Sequence, residues 1–269
     1  MDRDYVHGYA PRESLRLQDQ ASTLVELLHG DTAYPAGCHV LEAGCGVGAQ
    51  TVALARNSPE AFITSVDISE DSLVEAKAKV GVAGFTNVQF QAADLFALPF
   101  GPGSFDHVFV CFVLEHLSRP VEAVRALLRV LKAGGTITVI EGDHGSAYFH
   151  PDSAAAREAI RCQVELQRRA GGNAMIGRQL QPLLRQAGCD PVRVSPRMVY
   201  ADSSRPELVD GFTRKTFTAM IEGVRQSAIE AGLADAQAFD QGIRDLHRTA
   251  EPDGVFCYTF FKAVANRRG

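Results

Sequence analysis

A short apolar run leads into a glycine-rich turn near residue 44, and this junction restricts the fold more than any other part of the chain. The stretch is VLEAGCGVGAQT at residues 40–51, and the residues that follow have helical character. Glycines let the backbone turn sharply and approach a ligand, and a helix that begins behind them presents free N–H donors. The stretch therefore predicts a strand, a ligand-binding turn and a helix, which together form the basic unit of an α/β sheet.

Strand-like and helix-like segments alternate from this turn to about residue 145. The predicted strands are HVLEAG, AFITSVDIS, NVQFQAAD, the first part of FDHVFVCFVLEHL, and TITVIEGDHG. The predicted helices are TVALARN, SEDSLVEAKAKV with Ser69 as its N-cap, and RPVEAVRALLRVLKAGG, which glycine closes. This alternation predicts parallel strands joined by right-handed crossovers.

The pattern changes in the second half of the chain. Helices are predicted at residues 152–169, 177–187 and roughly 205–248, with the strands VRVSPRMVY and VFCYTFFKAVAN among them. Another amphipathic helix is predicted at residues 12–29. We therefore expect an N-terminal helical cap (1–36), a core (37–150, 189–202 and 253–269) and a helical substrate lid (151–188 and 203–252).

Composition excludes several classes of protein. The 269 residues carry a net charge of −5 without a block of like charge, which argues against a nucleic-acid partner. The first residues lack the apolar core of a signal peptide, and no apolar run approaches the roughly 20 residues that span a bilayer. The six cysteines are scattered, which is typical of reduced thiols. We therefore expect a cytoplasmic protein without a membrane partner.

The glycine turn fits two kinds of adenosine-containing cofactor. Gly44, Gly46 and Ala49 match the G-x-G-x-x-G/A fingerprint of dinucleotide binding. Glu42, Gly44, Gly46 and Gly48 match the acid-x-G-x-G-x-G turn of a methyltransferase. The glycines by themselves do not decide between these interpretations.

Acidic residues at the ends of the strands favour a positively charged cofactor. Glu42 ends the first strand, where a carboxylate suits an ammonium group and repels a diphosphate. Asp67 ends the second strand, a position that suits the ribose of either cofactor. Asp94 ends the third and suits the adenine amino group, with Leu95 beside the ring. Three carboxylates along one edge favour a sulfonium donor over a dinucleotide.

The ordered motifs VLEAGCGVGAQT, VDIS, AADLFALPF, FDHVFVCFVLEHL and LKAGGTITVIEG resemble those of class I S-adenosylmethionine-dependent methyltransferases. The resemblance is close over residues 38–145 and looser over the last two strands. It implies a Rossmann-like, mostly parallel seven-stranded sheet of order 3-2-1-4-5-7-6, with the last strand antiparallel. It also implies S-adenosylmethionine as cofactor and S-adenosylhomocysteine as product.

The same resemblance assigns cofactor-binding residues. Those implied in the core are Glu42, Ala43, Gly44, Cys45, Gly46, Gln50, Asp67, Ile68, Asp94, Leu95, Cys111 and Phe112. Glu42, Gly44 and Gly46 would line the methionine end, and Cys111 and Phe112 would face the methionine portion. Tyr9 and Arg16 precede the core, where the family often places a closing helix; packing of the aromatic residues against the sheet is the alternative.

Residues EGDHG at the end of the fifth strand are the candidates for acceptor chemistry. His144 has the intrinsic pKa best suited to a base at neutral pH, and Glu141 lies three residues before it. A histidine beside Asp143 is also typical of a structural hydrogen-bonded pair. The spacing of these acids and histidines matches no metal motif, so we predict metal-independent activity.

The sequence therefore predicts methyl transfer from S-adenosylmethionine to a small-molecule acceptor by in-line displacement. An NAD(P)-dependent oxidoreductase and a non-catalytic S-adenosylmethionine-binding protein are the alternatives. The oxidoreductase would need a second mononucleotide half and a catalytic pair such as Y-x-x-x-K, and neither is present in the sequence. We expect a monomer or a homodimer.

Overall fold

The computed structural model describes residues 23–268, which divide into two compact units. The first, here called the sheet unit, contains Val25–Glu141, Ile176–Pro196 and the chain from Phe261 onward. The second, here called the helical unit, is formed chiefly by Gly142–Met175 and Arg197–Phe260.

One sheet with seven strands runs through the described residues, in the order β3-β2-β1-β4-β5-β7-β6. The order confirms the predicted fold class. Four neighbouring pairs, β1 with β2, β2 with β3, β1 with β4, and β4 with β5, are parallel. The strands are β1 (His39–Ala43), β2 (Phe62–Asp67), β3 (Val88–Ala92), β4 (Phe105–Cys111), β5 (Leu131–His150), β6 (Cys189–Ala201) and β7 (Val255–Arg267).

The central strands are buried because consecutive apolar residues can pack on both faces of a parallel sheet. In β1, Val40 and Leu41 are completely buried, and in β4 the same holds for Val108, Phe109 and Val110. Because β1, β2 and β4 run parallel, the positions after them lie at one edge of the sheet, and open α/β sheets bind their ligands at this edge.

Among the described residues, five α-helices lie wholly or mainly in the sheet unit. They are α1, whose described part covers residues 23–29, α2 (Thr51–Asn57), α3 (Glu70–Val82), α4 (Pro120–Val130) and α6 (Leu180–Ala187). Ser69 caps α3 as predicted, because its hydroxyl accepts a hydrogen bond from the Ser72 N–H at 3.2 Å. The prediction that α4 continues to its closing glycine is wrong. The helix ends at Val130 because Leu131 is already paired with Phe105 of β4.

The helical unit contains α5 (Ala154–Arg169), α7 (Pro206–Leu208), α8 (Ala219–Gly223), α9 (Arg225–Glu230) and α10 (Ala236–Arg248). A π-helix, Val209–Thr218, lies between α7 and α8, and no pattern in the sequence predicted it. Close packing of α5 on α10 requires Gly242, since a Cβ there would lie 2.5 Å from the Ala155 carbonyl oxygen. All six cysteines are buried and free. No helix within residues 23–268 is both long and apolar enough to cross a membrane.

Candidate functional site

The turn after β1 has a backbone that only glycine adopts easily. Gly44, Gly46 and Gly48 have φ angles of +74°, +50° and +74°. A Cβ on Gly44 would also lie 2.5 Å from Val113 Cγ2, and one on Gly48 would lie 2.9 Å from Ala76 Cβ. A Cβ on Gly46, by contrast, would meet no atom within 4 Å. The turn is therefore held tightly at both ends and has open space at its centre.

Asp67 connects the end of β2 to this turn. Its Oδ2 accepts a hydrogen bond from the Gly46 N–H at 2.7 Å, and its Oδ1 accepts one from the Ser69 N–H at 2.9 Å. The neighbouring Ile68 is 64% exposed, although it is a large apolar residue. A carboxylate next to an exposed apolar side chain provides an acceptor for ribose hydroxyls and a surface for a purine ring.

Asp94 and Leu95 occupy the corresponding position after β3. The Asp94 carboxylate accepts a hydrogen bond from the Phe96 N–H at 2.9 Å and caps the short helical turn that follows. Leu95 is partly buried and packs against the core of the sheet unit. The fold therefore places the predicted acids at one edge of the sheet, while their contact with a cofactor remains a prediction.

Glu42 lies deeper than its position at a strand end suggests. Its side chain is 2% exposed, and its Oε2 accepts hydrogen bonds from the Thr51 hydroxyl at 2.7 Å and the Ser65 hydroxyl at 2.6 Å. Burial penalises the carboxylate and raises the pKa of Glu42 to about 7. The residue thus ties β1 to β2 and to the beginning of α2.

The buried carboxyl predicts a pH-dependent contribution to stability. Between the ordinary Glu pKa of 4.5 and about 7, folded Glu42 keeps a proton that the unfolded chain loses. The contribution of Glu42 to the free energy of unfolding is therefore most favourable below the ordinary pKa and is lost as pH rises. The loss is about 3 kcal/mol, since each unit of pKa difference corresponds to about 1.4 kcal/mol. In Glu42→Gln the amide oxygen can still accept the hydrogen bonds of both hydroxyls, but the amide does not titrate. Over this pH range the variant should therefore lose about 3 kcal/mol less of its free energy of unfolding than the wild type loses.

Denaturant unfolding at the two ends of this range measures the effect. Glu60→Gln is the matched control, since its side chain is exposed and it should follow the wild type. A Glu42→Gln curve with the same pH dependence as the wild type would contradict the assignment.

Gln50, predicted to reach the cofactor tail, lies at the beginning of α2. Its Oε1 is 2.6 Å from Nε2 of His29, a buried residue of α1. Burial lowers the pKa of His29 to about 4, so the ring is neutral at pH 7. The amide is thus oriented by a neutral histidine, which holds α1 against the start of α2.

The segment after β4 contains the predicted residues Cys111 and Phe112. Cys111 is buried, and burial raises the pKa of its thiol well above the ordinary value. Phe112 has a φ of +57°, which is rare for a residue with a side chain. Strained backbone of this kind persists only where its surroundings hold it, and it clusters at functional sites.

Glu141 holds the residues that follow this strained position. Its side chain is fully buried, and its Oε1 accepts hydrogen bonds from the N–H groups of Val113 at 3.1 Å and Leu114 at 2.8 Å. Burial, together with the negative charge of Glu115, raises the pKa of Glu141 well above the ordinary value. The catalytic role predicted for Glu141 remains untested, whereas its contact with the backbone after β4 is direct.

His144 lies in the helical unit and is only 7% exposed. Its Nδ1 is 2.7 Å from the hydroxyl oxygen of Tyr258 on β7, and its backbone N–H donates to the Ala174 carbonyl at 2.9 Å. Nothing in VFCYTFFKAVAN distinguishes Tyr258 from the surrounding aromatic residues, so the sequence did not predict this contact.

Comparison with known proteins adds an independent observation. Residues 41–139 match the family model described as a methyltransferase domain. The chain is 29% identical over 231 residues to 27-O-demethylrifamycin SV methyltransferase of Amycolatopsis mediterranei, covering 83% of this chain and 77% of that protein. It is 34% identical over 109 residues to demethylmenaquinone methyltransferase of Lactococcus lactis, covering 40% of this chain and 43% of the relative.

Residues 41–139 form a methyltransferase domain.

Solved structures of other proteins are similar to this chain in their fold. Phosphoethanolamine N-methyltransferase 2 of Haemonchus contortus, in complex with S-adenosylmethionine, has a TM-score of 0.56 at 16% identity, over 93% of this chain and 53% of that one. The 4+2 cyclase SpnF has a TM-score of 0.55 at 21% identity, over 93% and 82%. Since one of the two is described as a cyclase, this likeness shows the fold and not the reaction.

The methyl donor of the methyltransferase is S-adenosylmethionine, and the described residues fit it. The open backbone at Gly46 and the carboxylate of Asp67 with exposed Ile68 supply a close approach, a hydroxyl acceptor and an apolar wall. Ala43 and Cys45 are buried, so only their backbone would reach a ligand. Tyr9 and Arg16 lie outside the described residues.

Metal binding was predicted to play no part. Among residues 23–268, no group of three or more His, Cys, Asp and Glu side chains is placed to hold a metal ion. The predicted independence from metal stays a prediction, and activity lost in EDTA would contradict it.

Proposed function

We propose that this methyltransferase transfers a methyl group from S-adenosylmethionine to a small-molecule acceptor, with His144 as the general base. Two relatives support this class of acceptor. One is described as a methyltransferase of 27-O-demethylrifamycin SV and the other of demethylmenaquinone, which are both small molecules. The fold of the glycine turn, with Asp67 bonded to Gly46, is the observation on which the proposal chiefly depends.

The cofactor is proposed to lie along the carboxyl ends of β1, β2, β3 and β4. Gly44 and Gly46 would approach its methionine end through their backbone, and Gln50 its tail. Asp67 would accept the ribose hydroxyls, Ile68 would cover the adenine, and Asp94 and Leu95 would meet its edge. Glu42 would hold the turn in place through its hydrogen bond with the Thr51 hydroxyl. It would also supply the negative charge predicted for the methionine end of the site. Cys111 and Phe112 would line the methionine portion.

When bound, the cofactor supplies a methyl group activated by a positively charged sulfur. The residues of the chain then have two tasks, which are to hold acceptor and donor in line and to remove a proton from an oxygen or nitrogen acceptor. His144 suits the second task because a neutral imidazole is a base near pH 7. Glu141 is proposed to assist, from the same strand.

Three further features belong to the proposal. The chain would consist of the cap, core and lid at the boundaries predicted above. It would act in the cytoplasm as a monomer or homodimer. It would require neither a nucleic acid nor a membrane.

Two experiments test the proposed function. Calorimetry should show S-adenosylhomocysteine binding more tightly than NAD, and the reverse order would overturn the choice of cofactor. Incubation of the full chain with S-adenosylmethionine labelled in its methyl group should transfer label to members of a panel of phenols, hydroxylated polyketides, quinols and amines. Tight cofactor binding without a labelled product across the panel would favour the non-catalytic binding protein instead.

A further inference from the structure

We propose that His29 is a positioning residue that orients the Gln50 amide, so that Gln50 presents an N–H donor to the carboxylate of the cofactor's methionine tail. This inference rests on the proposed function, which places Gln50 at that tail. The residues that carry it all lie in the sheet unit. It depends on the contact between the two side chains, on the way His29 is held, and on the hydrogen-bonding capacity of an amide.

The contact joins the end of α1 to the beginning of α2. Gln50 is the N-cap residue of α2, but its side chain makes no capping hydrogen bond to the helix. Its Oε1 instead lies 2.6 Å from Nε2 of His29. Because an amide oxygen can only accept a hydrogen bond, His29 donates from Nε2.

The other ring nitrogen of His29 makes this arrangement the favoured one. Burial lowers the pKa of His29 to about 4, so the ring carries a single proton at pH 7. Nδ1 is buried and has no hydrogen-bond partner among residues 23–268. Reversal of the Gln50 amide would move the proton to Nδ1, where it would be a buried N–H without an acceptor, and such groups are rare in proteins. The ring therefore selects one orientation of the amide.

His29 itself has little freedom to move. It is 1% exposed, and its ring centroid lies 5.7 Å from that of Phe109. Its carbonyl oxygen accepts hydrogen bonds from the Asn57 side-chain amide at 2.8 Å and from the Thr32 N–H at 2.9 Å. Since Asn57 is the last residue of α2, His29 contacts that helix at both ends. The position of Nε2 is therefore fixed relative to the side chain that it orients.

The two ends of the amide group convert this orientation into a choice of ligand group. Gln50 is half-buried, and with its oxygen on His29 the amide nitrogen is the end left for a ligand. An N–H donor suits a carboxylate, whereas an amide oxygen would suit an ammonium group. The methionine tail carries both groups, so the position of the proton on His29 decides which of them Gln50 binds.

The first test measures the position of this proton and needs no ligand. In the full chain labelled with 15N-histidine, the His29 signals, assigned by their loss in His29→Gln, should show the proton on Nε2. A proton on Nδ1 would overturn the inference, because Nε2 would then accept a hydrogen bond and the amide oxygen would face the ligand.

The second test compares two ligands by calorimetry. They are S-adenosylhomocysteine and its decarboxylated analogue, which keeps the amine and lacks only the carboxylate. Gln50→Leu should weaken binding of S-adenosylhomocysteine about ten- to a hundredfold, as expected for one hydrogen bond to a charged group, and should leave binding of the analogue unchanged. Equal losses for the two ligands would overturn the inference.

Two substitutions of His29 separate positioning from packing. His29→Phe keeps a ring against Phe109 and removes the donor, so it should reduce the preference for S-adenosylhomocysteine over the analogue about tenfold. His29→Gln removes the ring but can place an N–H near the position of Nε2, so it should restore the preference. His39→Phe is the matched control, since His39 is exposed at the beginning of β1, and it should bind both ligands like the wild type. A wild-type preference in His29→Phe would overturn the positioning role.

The double variant shows whether His29 acts through Gln50. In the Gln50→Leu background, His29→Phe should not change the preference between the two ligands any further, and a second tenfold loss would contradict the inference. The proposed function fails separately. If the wild type binds neither ligand, the proposed cofactor is wrong; if it binds both equally well, the cofactor stands and Gln50 does not bind the carboxylate.

Discussion

Gly44→Ala is expected to abolish measurable binding of S-adenosylhomocysteine. The substitution places a Cβ at a φ of +74°, which disfavours any residue with a side chain by about 1–2 kcal/mol. The Cβ would also lie 2.5 Å from Val113 Cγ2, and Val113 is held through its backbone N–H by the buried Glu141. The clash must therefore be relieved by movement of the turn itself, whose N–H groups at Gly44 and Cys45 are bonded to the Val66 carbonyl.

Gly37→Ala separates backbone strain from the clash. Gly37 has the same φ of +74°, and a Cβ there would meet no atom within 4 Å. It should lose about 1–2 kcal/mol of stability and keep its affinity for the cofactor product. Calorimetry gives the affinities, and circular dichroism melting shows that both variants are folded. A folded Gly44→Ala variant that binds S-adenosylhomocysteine like the wild type would mean that the cofactor does not approach this turn.

His144→Gln is expected to lower kcat by about 10²- to 10⁴-fold, the usual contribution of a general base. Glutamine is close in size and can still form hydrogen bonds, but it cannot take up a proton at neutral pH. The residues proposed to hold the cofactor lie elsewhere, so the KM for S-adenosylmethionine should not change. Steady-state transfer of the labelled methyl group measures both quantities.

His150→Gln is the matched control, because His150 lies on the same strand and is exposed. It should transfer methyl groups at the wild-type rate. If His144→Gln also does so, orientation of the acceptor suffices for the reaction and no side-chain base is needed.

The part of the fold that the sequence predicted well depends on local chemistry. Ser69 caps α3 because a serine hydroxyl before a helix reaches an N–H three residues ahead. The three glycines after β1 form a left-handed turn because only glycine adopts that backbone without strain. The alternation of strands and helices predicts a parallel sheet because few other arrangements bury both types of segment.

The predictions of secondary structure were wrong where pairing or packing with a distant segment determines the local conformation. Glycines near residue 134 indicated the end of α4, but pairing of Leu131 with Phe105 ends the helix earlier. The π-helix at Val209–Thr218 could not be found from periodicity, since its apolar residues face a cluster formed by strands far along the chain.

The candidate site shows the same division. Sequence position alone placed Glu42, Asp67 and Asp94 at strand ends, but it did not show that Glu42 turns inward. Glu42 does so because the hydroxyls of Thr51 and Ser65, nine and 23 positions away, satisfy its carboxylate. A polar side chain can be buried at low cost only where hydrogen-bond partners surround it, and the sequence does not reveal those partners.

The sequence by itself determined the class of sheet, the glycine turn and the row of acids, because each follows from the chemistry of neighbouring residues. Only the tertiary structure decided that Glu141 holds the strained segment after β4, and that His144 meets Tyr258 in a space left by Gly142. These contacts join residues separated by tens of positions, and their existence depends on packing that brings distant strands and helices together.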